Sequence, residues 1–213
     1  MTKTMSMSER VQVNAFVEPD NQLMRISSMI PDNDDEAPPM DIVCVIDISW
    51  SMGGSAACQT DGKTEYEDLG FSLMDLVKHA AKTVVKVLRP TDRVSIVLFD
   101  DVIEVPFDFT EMTDENREAV LKYVDGIQRR NSTNIYDAII KAIDLVNERE
   151  GDHNKNDAAI MFFTDGQPNA GKETVTPLMI KGFNEYKTQK NFQFPIHTYA
   201  FGQYTNCTSD LLF

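Results

Sequence analysis

The chain has 213 residues, 42% apolar and 25% charged, enough for one full domain with a sizeable core and a small appendage. Its net charge of -14 argues against nucleic acid and anionic membrane surfaces and favours cations and basic partner surfaces. Cys44, Cys58 and Cys207 have no zinc-type spacing, the segment to Glu18 lacks a signal-peptide core, and no apolar run spans a bilayer. The odd, sparse cysteine count points to a reducing compartment. The expectation is an intracellular, cytoplasmic protein with no membrane insertion.

Val11–Val17 and Leu23–Ile30 alternate apolar and polar residues in part, with the turn signal Pro19-Asp20-Asn21 between them. Residues 1–30 are therefore predicted to form a short β-hairpin, of the kind a neighbouring β-rich domain would complete. Residues 31–39 are acidic and proline-rich and mark a linker. From Met40 the pattern changes. Ile42–Ile46 is a continuous apolar run, as expected for a strand covered on both faces. Apolar positions at helical spacing from Leu69 to Leu88 predict a long helix, stopped by Pro90. Val94–Phe99 reads as a second buried strand. Asp100-Asp101 turns it into Val102–Phe107, predicted antiparallel at an edge. Helices are predicted over Glu115–Ile127, Ile135–Glu148 and Thr176–Lys190, and strands over Ala158–Phe163 and Phe194–Phe201.

This alternation specifies the α/β class: a doubly wound, mostly parallel sheet with one antiparallel edge strand, over residues 40–213. Ser209–Phe213 reads as the first turn of a helix capped by Ser209. The C-terminal helix and last strand of the domain are expected to be missing, with further domains in the full-length chain.

Three distant segments carry oxygen donors: Asp47-Ile48-Ser49-Trp50-Ser51, Ser132-Thr133-Asn134 and Thr164-Asp165-Gly166. In doubly wound sheets, ligands bind beyond the carboxyl ends of strands where strand order reverses. Asp47 ends the first central strand and Asp165 follows the fourth, so adjacency of those strands would bring the two carboxylates together. Their repulsion calls for a divalent cation. A set of two carboxylates with neutral hydroxyls suits Mg²⁺ (or Mn²⁺) rather than a high-affinity Ca²⁺ cage, and leaves a coordination position for a partner's Asp or Glu.

The ordered set Asp47-x-Ser49-x-Ser51, Thr133 and Asp165 resembles the metal-ion-dependent adhesion site of von Willebrand factor type A (vWA) domains. The likeness extends over roughly Met40–Phe213, and the chain resembles intracellular members found in multi-domain eukaryotic proteins. It implies a Rossmann-like fold, no catalytic activity and protein ligands. It further implies that Ser49, Ser51 and, depending on conformational state, Thr133 ligate the ion directly, with Asp47 and Asp165 acting wholly or partly through water. Asn134 and Gly166 lie on the expected rim. Trp50 stands where the family commonly has glycine, and reads either as a partner anchor or as a lid on the site. Ser55–Asp68 resembles an insertion before the first helix.

Other residues have plainer readings. Asp137 is expected to be a supporting hydrogen-bond group or a first-turn helix acid, and Asp100-Asp101 turn chemistry. Arg129-Arg130 either steer an acidic ligand or close a helix. The competing functions are a Mg²⁺-dependent phosphoryl-transfer enzyme on a similar sheet, with Asp47 as nucleophile, and a scaffold whose metal site is non-functional. The enzyme reading lacks a second acid two residues after Asp47, where Ser49 stands, and a phosphate-binding glycine-rich loop.

Overall fold

The structure, a computed structural model, describes residues 12–17, 24–29, 38–59, 66–151, 153, 156–166 and 168–201. The chain divides into two units, Met1–Pro38 and Pro39–Phe213. In the first, β1 (Gln12–Val17) pairs antiparallel with β2 (Met24–Met29), Gln12 opposite Met29 and Val17 opposite Met24. The turn between them, the acidic stretch of the linker and the helical turn expected at Ser209–Phe213 lie outside the described residues.

The second unit opens with β3 (Met40–Asp47), followed by a 3-10 turn (Trp50–Gly53) and a hairpin of β4 (Ser55–Gln59) and β5 (Tyr66–Ser72). Next come α1 (Leu73–Val87), β6 (Arg93–Phe99), β7 (Ile103–Glu111), α2 (Asp114–Gly126) and α3 (Ile135–Asn147). β8 (Asp157–Thr164), α4 (Thr176–Lys190) and β9 (Ile196–Ala200) complete it. Five strands form one sheet in the order β7-β6-β3-β8-β9. All neighbours run parallel except β6 and β7, so the expected antiparallel edge is present.

The middles of the central strands are mostly apolar because both faces are covered, and the buried charges Asp41, Asp47 and Arg93 lie toward the strand ends. Ile42, Cys44 and Ile46 pack with Val77, Ala81 and Val85 of α1 and with Val120 and Val124 of α2. Val43 and Val45 face the opposite way, onto Ala138, Ile139 and Ala142 of α3 and Met179 and Phe183 of α4. Each buried Val or Ile contributes about 1.5–3 kcal/mol by leaving water, so β3 alone anchors both layers. Cys44 is a free, buried thiol pushed up to about 12 by burial, an inert core residue.

One helix boundary differs from the expectation. Leu69–Ser72 belong to β5, and α1 starts at Leu73. Leu69 and Leu73 are four apart and so mimic helical spacing. Ser72 fixes the true start: its Oγ accepts from the Asp75 N–H at 3.2 Å, and Asp75 Oδ2 accepts from the Ser72 N–H at 2.9 Å. The segment read as an insertion, Ser55–Asp68, contains β4 and the first three residues of its antiparallel partner β5, which continues to Ser72.

At the amino ends of the strands, Asp41 is fully buried between two arginines. It accepts from Arg93 Nε (2.8 Å) and Nη2 (2.7 Å), Arg149 Nη1 (2.6 Å) and Asn156 Nδ2 (3.1 Å). Burial by itself would raise this carboxyl; the hydrogen bonds outweigh it and hold Asp41 below its ordinary value. At the carboxyl ends, β3 lies between β6 and β8. The chain winds first to one side of β3 and later to the other, so the order reverses between β3 and β8. No helix among the described residues is long and apolar enough to cross a membrane.

Candidate metal centre

Asp47 is the last residue of β3 and is fully buried. Its Oδ1 accepts the Ser49 N–H at 2.8 Å, which bends the chain off the strand end. Its Oδ2 accepts the Thr164 hydroxyl at 2.6 Å, from the neighbouring strand β8. Ser49, also buried, lies 3.0 Å from Ser51, hydroxyl to hydroxyl. The Ser51 hydroxyl donates to Asp165 Oδ1 at 3.0 Å. A continuous run of hydrogen bonds thus links Asp47, Ser49, Ser51 and Asp165, across 114 residues of sequence between Ser51 and Asp165.

Gly166 continues from Asp165 with φ +100, a left-handed conformation that favours glycine, and its N–H donates to Thr164 Oγ1 at 3.0 Å. Thr164 therefore supports both acidic segments at once.

Thr133 is buried and is held by its backbone: its N–H donates to Asn169 Oδ1 at 2.8 Å, and its carbonyl accepts from the N–H groups of Asn169 and Ala170. The structure gives no hydrogen bond from the Thr133 hydroxyl to the other four candidate ligands. Its loop is nonetheless tied to theirs. The Arg130 N–H donates to the Ile48 carbonyl at 2.7 Å, and the Trp50 N–H to the Asn131 carbonyl at 3.1 Å. Asn134, buried, caps α3: Oδ1 accepts from the Asp137 N–H at 3.3 Å and Nδ2 donates to Asp137 Oδ2 at 2.9 Å. Asp137 also accepts from the Lys172 N–H, so it supports the loop after β8 as well as the helix. Asp100 behaves as a turn residue, accepting the Val102 N–H at 2.8 Å.

Trp50 is 69% exposed. It is not a lid packed on the domain, and its ring carries the Arg129 guanidinium 5.2 Å above the centroid. Neither Arg129 nor Arg130 closes a helix, because α2 ends at Gly126. Arg130 instead forms an ion pair with Glu104.

The electrostatics follow from this geometry. Burial pushes the Asp47 carboxyl up to about 6, against the lowering effect of its Ser49 and Thr164 hydrogen bonds, and the Asp165 charge adds to the rise. Burial likewise raises Asp165, against its hydrogen bond from Ser51. Both acids are held by neutral donors. Among the described residues no group of three or more His, Cys, Asp or Glu side chains is arranged to hold a metal. The donor set here is instead two carboxylates with hydroxyls, which fits a hard cation that keeps part of its water shell.

Sequence reasoning missed two residues. Thr164 was seen only as part of its segment, and nothing marked its hydroxyl as the brace of Asp47. Asn169 carried no signal, since its bond to Thr133 is made across loops.

A family model for the von Willebrand factor type A domain matches residues 42–167. That span contains Asp47, Ser49, Ser51, Thr133 and Asp165. Among curated proteins, inter-alpha-trypsin inhibitor heavy chain H3 of Bos taurus is 26% identical over 172 residues, 79% of this chain and 17% of that protein. The probable E3 ubiquitin-protein ligase WAVH2 of Arabidopsis thaliana is 30% identical over 136 residues, 61% of this chain and 16% of that protein. The chain thus spans about a sixth of the length of such relatives.

Two solved structures share the fold. A von Willebrand factor type A protein from Catenulispora acidiphila gives a TM-score of 0.54 at 13% identity, covering 82% of this chain and 34% of that one. Manganese-loaded TRAP protein of Plasmodium vivax gives 0.54 at 16% identity, covering 79% and 59%. With more than half its length matched by the family model and the α/β sheet to go with it, this chain belongs to the von Willebrand factor type A domain family.

Proposed function

We propose that this vWA domain is a divalent-cation-dependent protein-binding module. Mg²⁺ (or Mn²⁺) is held by the Ser49, Ser51 and Thr133 hydroxyls, with Asp47 and Asp165 acting wholly or partly through water. Bound there, the ion would supply an open coordination position for an Asp or Glu side chain of a partner protein. Family membership supports protein interaction as the broad role. The metal reading rests mainly on one observation: the first loop links two carboxylates from adjacent strand ends, Asp47 through the Ser49 N–H and Asp165 through the Ser51 hydroxyl, and both carboxyls are raised by burial.

Of the three residues expected on the rim, Trp50 is exposed and serves as an anchor for the partner, whereas Asn134 and Gly166 are buried in supporting places. A phosphoryl-transfer reading gains no support, because Asp47 is buried with both oxygens accepting hydrogen bonds and is a poor nucleophile. The setting we propose is intracellular, within a longer multi-domain protein; its support is the sparse cysteine content.

The test is a titration of the chain with Mg²⁺ and Mn²⁺ while following the fluorescence of Trp50, the single tryptophan. Saturable change in the wild type, lost in Ser51→Ala and Asp165→Asn that remain folded, is the expected result. Partner capture from extract that EDTA leaves unaltered would refute the metal bridge.

A further inference from the structure

Arg129 occupies an unusual place beside the candidate centre. Its guanidinium lies over the Trp50 ring at 5.2 Å. It also lies against Gly53: a Cβ added there would come within 1.4 Å of Arg129 Nη1. Trp50 and Gly53 are the first and last residues of the turn that contains Ser51 and directly follows Ser49. The base of Arg129 is fixed too, because its neighbours Arg130 and Asn131 bond to the backbone of Ile48 and Trp50.

Among the described residues Arg129 forms no ion pair, whereas Arg130 is committed to Glu104. Asp75 is an acid that senses Arg129, and it is already held by Ser72 in the α1 cap. An exposed arginine on an aromatic platform keeps most of its planar donor fork open, and that fork matches a carboxylate. In a chain of net charge -14, this positive spot at the rim selects for an acidic ligand and against a basic one.

Resting on the metal-bridge reading above, we propose that the domain recognises a partner segment carrying two acidic side chains close together, the first on the ion and the second on Arg129 over Trp50. Gly53 belongs to the device, since its bare Cα is what admits the guanidinium.

The test uses the full chain and arrayed Gly-Ser peptides carrying no acid, one Asp, or one Asp followed by Glu at one to four residues, each with Mn²⁺ and with EDTA. The expected result is chelator-sensitive binding of the single-Asp peptide, and binding about two- to fivefold tighter at one of the diacid spacings, the upper range of an exposed ion pair. Arg129→Ala should bring the diacid to single-acid ratio to about one. Gly53→Ala should lower it by displacing the guanidinium, and Arg129→Lys should restore it in part. Thermal unfolding of each variant identifies any that fail to fold, and Gly53→Ala and Arg129→Ala approach the question from opposite sides of the contact. Chelator-sensitive binding with no diacid preference, or a preference indifferent to Arg129→Ala, overturns this inference and leaves the metal bridge standing. Binding of no peptide that responds to chelator overturns the metal bridge and this inference with it.

Discussion

Replacing Asp41 by Asn removes one negative charge from a wholly buried position and leaves the shape intact. Asp41 accepts four hydrogen bonds, from Arg93 twice, Arg149 and Asn156, at 2.6 to 3.1 Å. Asn keeps one acceptor oxygen and turns the other into an NH₂ group facing guanidinium N–H. Each charge-assisted bond is worth about 1.5–3 kcal/mol, an upper bound that the desolvation of the ions reduces. Breaking a buried pair by removing one partner costs about 3–5 kcal/mol, because the arginines stay buried without a counter-charge. Taking about 4 kcal/mol and a urea dependence of about 2 kcal/mol per M, the unfolding midpoint should fall by roughly 2 M.

Urea unfolding of wild type and Asp41→Asn from pH 7 to pH 3 is the assay. The hydrogen bonds hold the Asp41 carboxyl below its unfolded value, so its contribution is fully present above about pH 4 and is lost as pH falls through the folded value. The gap between the two proteins should be constant from pH 7 to about pH 5 and narrow below pH 4. Replacing Asp41, Arg93 and Arg149 together by apolar residues should recover much of the loss. A midpoint change under about 0.5 M, or a gap that widens on acidification, would refute the reasoning.

Thr164→Val removes the hydroxyl that donates to Asp47 at 2.6 Å and accepts from Gly166 at 3.0 Å. Mn²⁺ affinity, read by calorimetry, should fall about tenfold, the usual effect of losing a group that orients a metal-site residue. Gly171→Ala should destabilise by about 2–3 kcal/mol, since φ is +93 and the new Cβ would lie 1.8 Å from Asn134 Oδ1, dislodging the α3 cap. Gly126→Ala should do the reverse, stabilising by about 0.5–1 kcal/mol, because that helical glycine has open space around it. Thermal unfolding of the pair checks both signs.

The sheet was legible because parallel strands covered on both faces are nearly continuous apolar runs: Ile42–Ile46 is one, and Val94–Phe99 is interrupted only by Ser95, whose hydroxyl donates to the Phe107 carbonyl. The start of α1 was less so, since Leu69 and Leu73 fit a helix until Ser72 and Asp75 are recognised as a capping box. Asp47, Ser49, Ser51 and Asp165 were legible as a set, because each stands at a strand end in a recurring pattern. The groups that brace them were not. Thr164 acts across 117 residues and Asn169 across 36, through side chains that look like any loop residue. The Asp41 cluster was hidden for the same reason: its arginines lie 52 and 108 residues away.

Strand β3 carries two buried aspartates, Asp41 near its start and Asp47 at its end, and the contrast between them bears on function. Both are fully removed from solvent. Desolvation raises both, so the outcome depends on what else surrounds them. Asp41 meets two guanidinium groups and is lowered; Asp47 meets a backbone N–H, a hydroxyl and a second carboxylate, and rises to about 6. Burying a carboxylate costs several kcal/mol unless a cation compensates, and the fold has made that compensation at one end of the strand from its own side chains. At the other end it has gathered hydroxyls and a second acid, with no cationic side chain among their hydrogen-bond partners in the described residues, and this is the set that the proposed cation would compensate. The amino ends of the strands therefore serve stability and the carboxyl ends are suited to binding, as expected where a doubly wound sheet reverses its strand order.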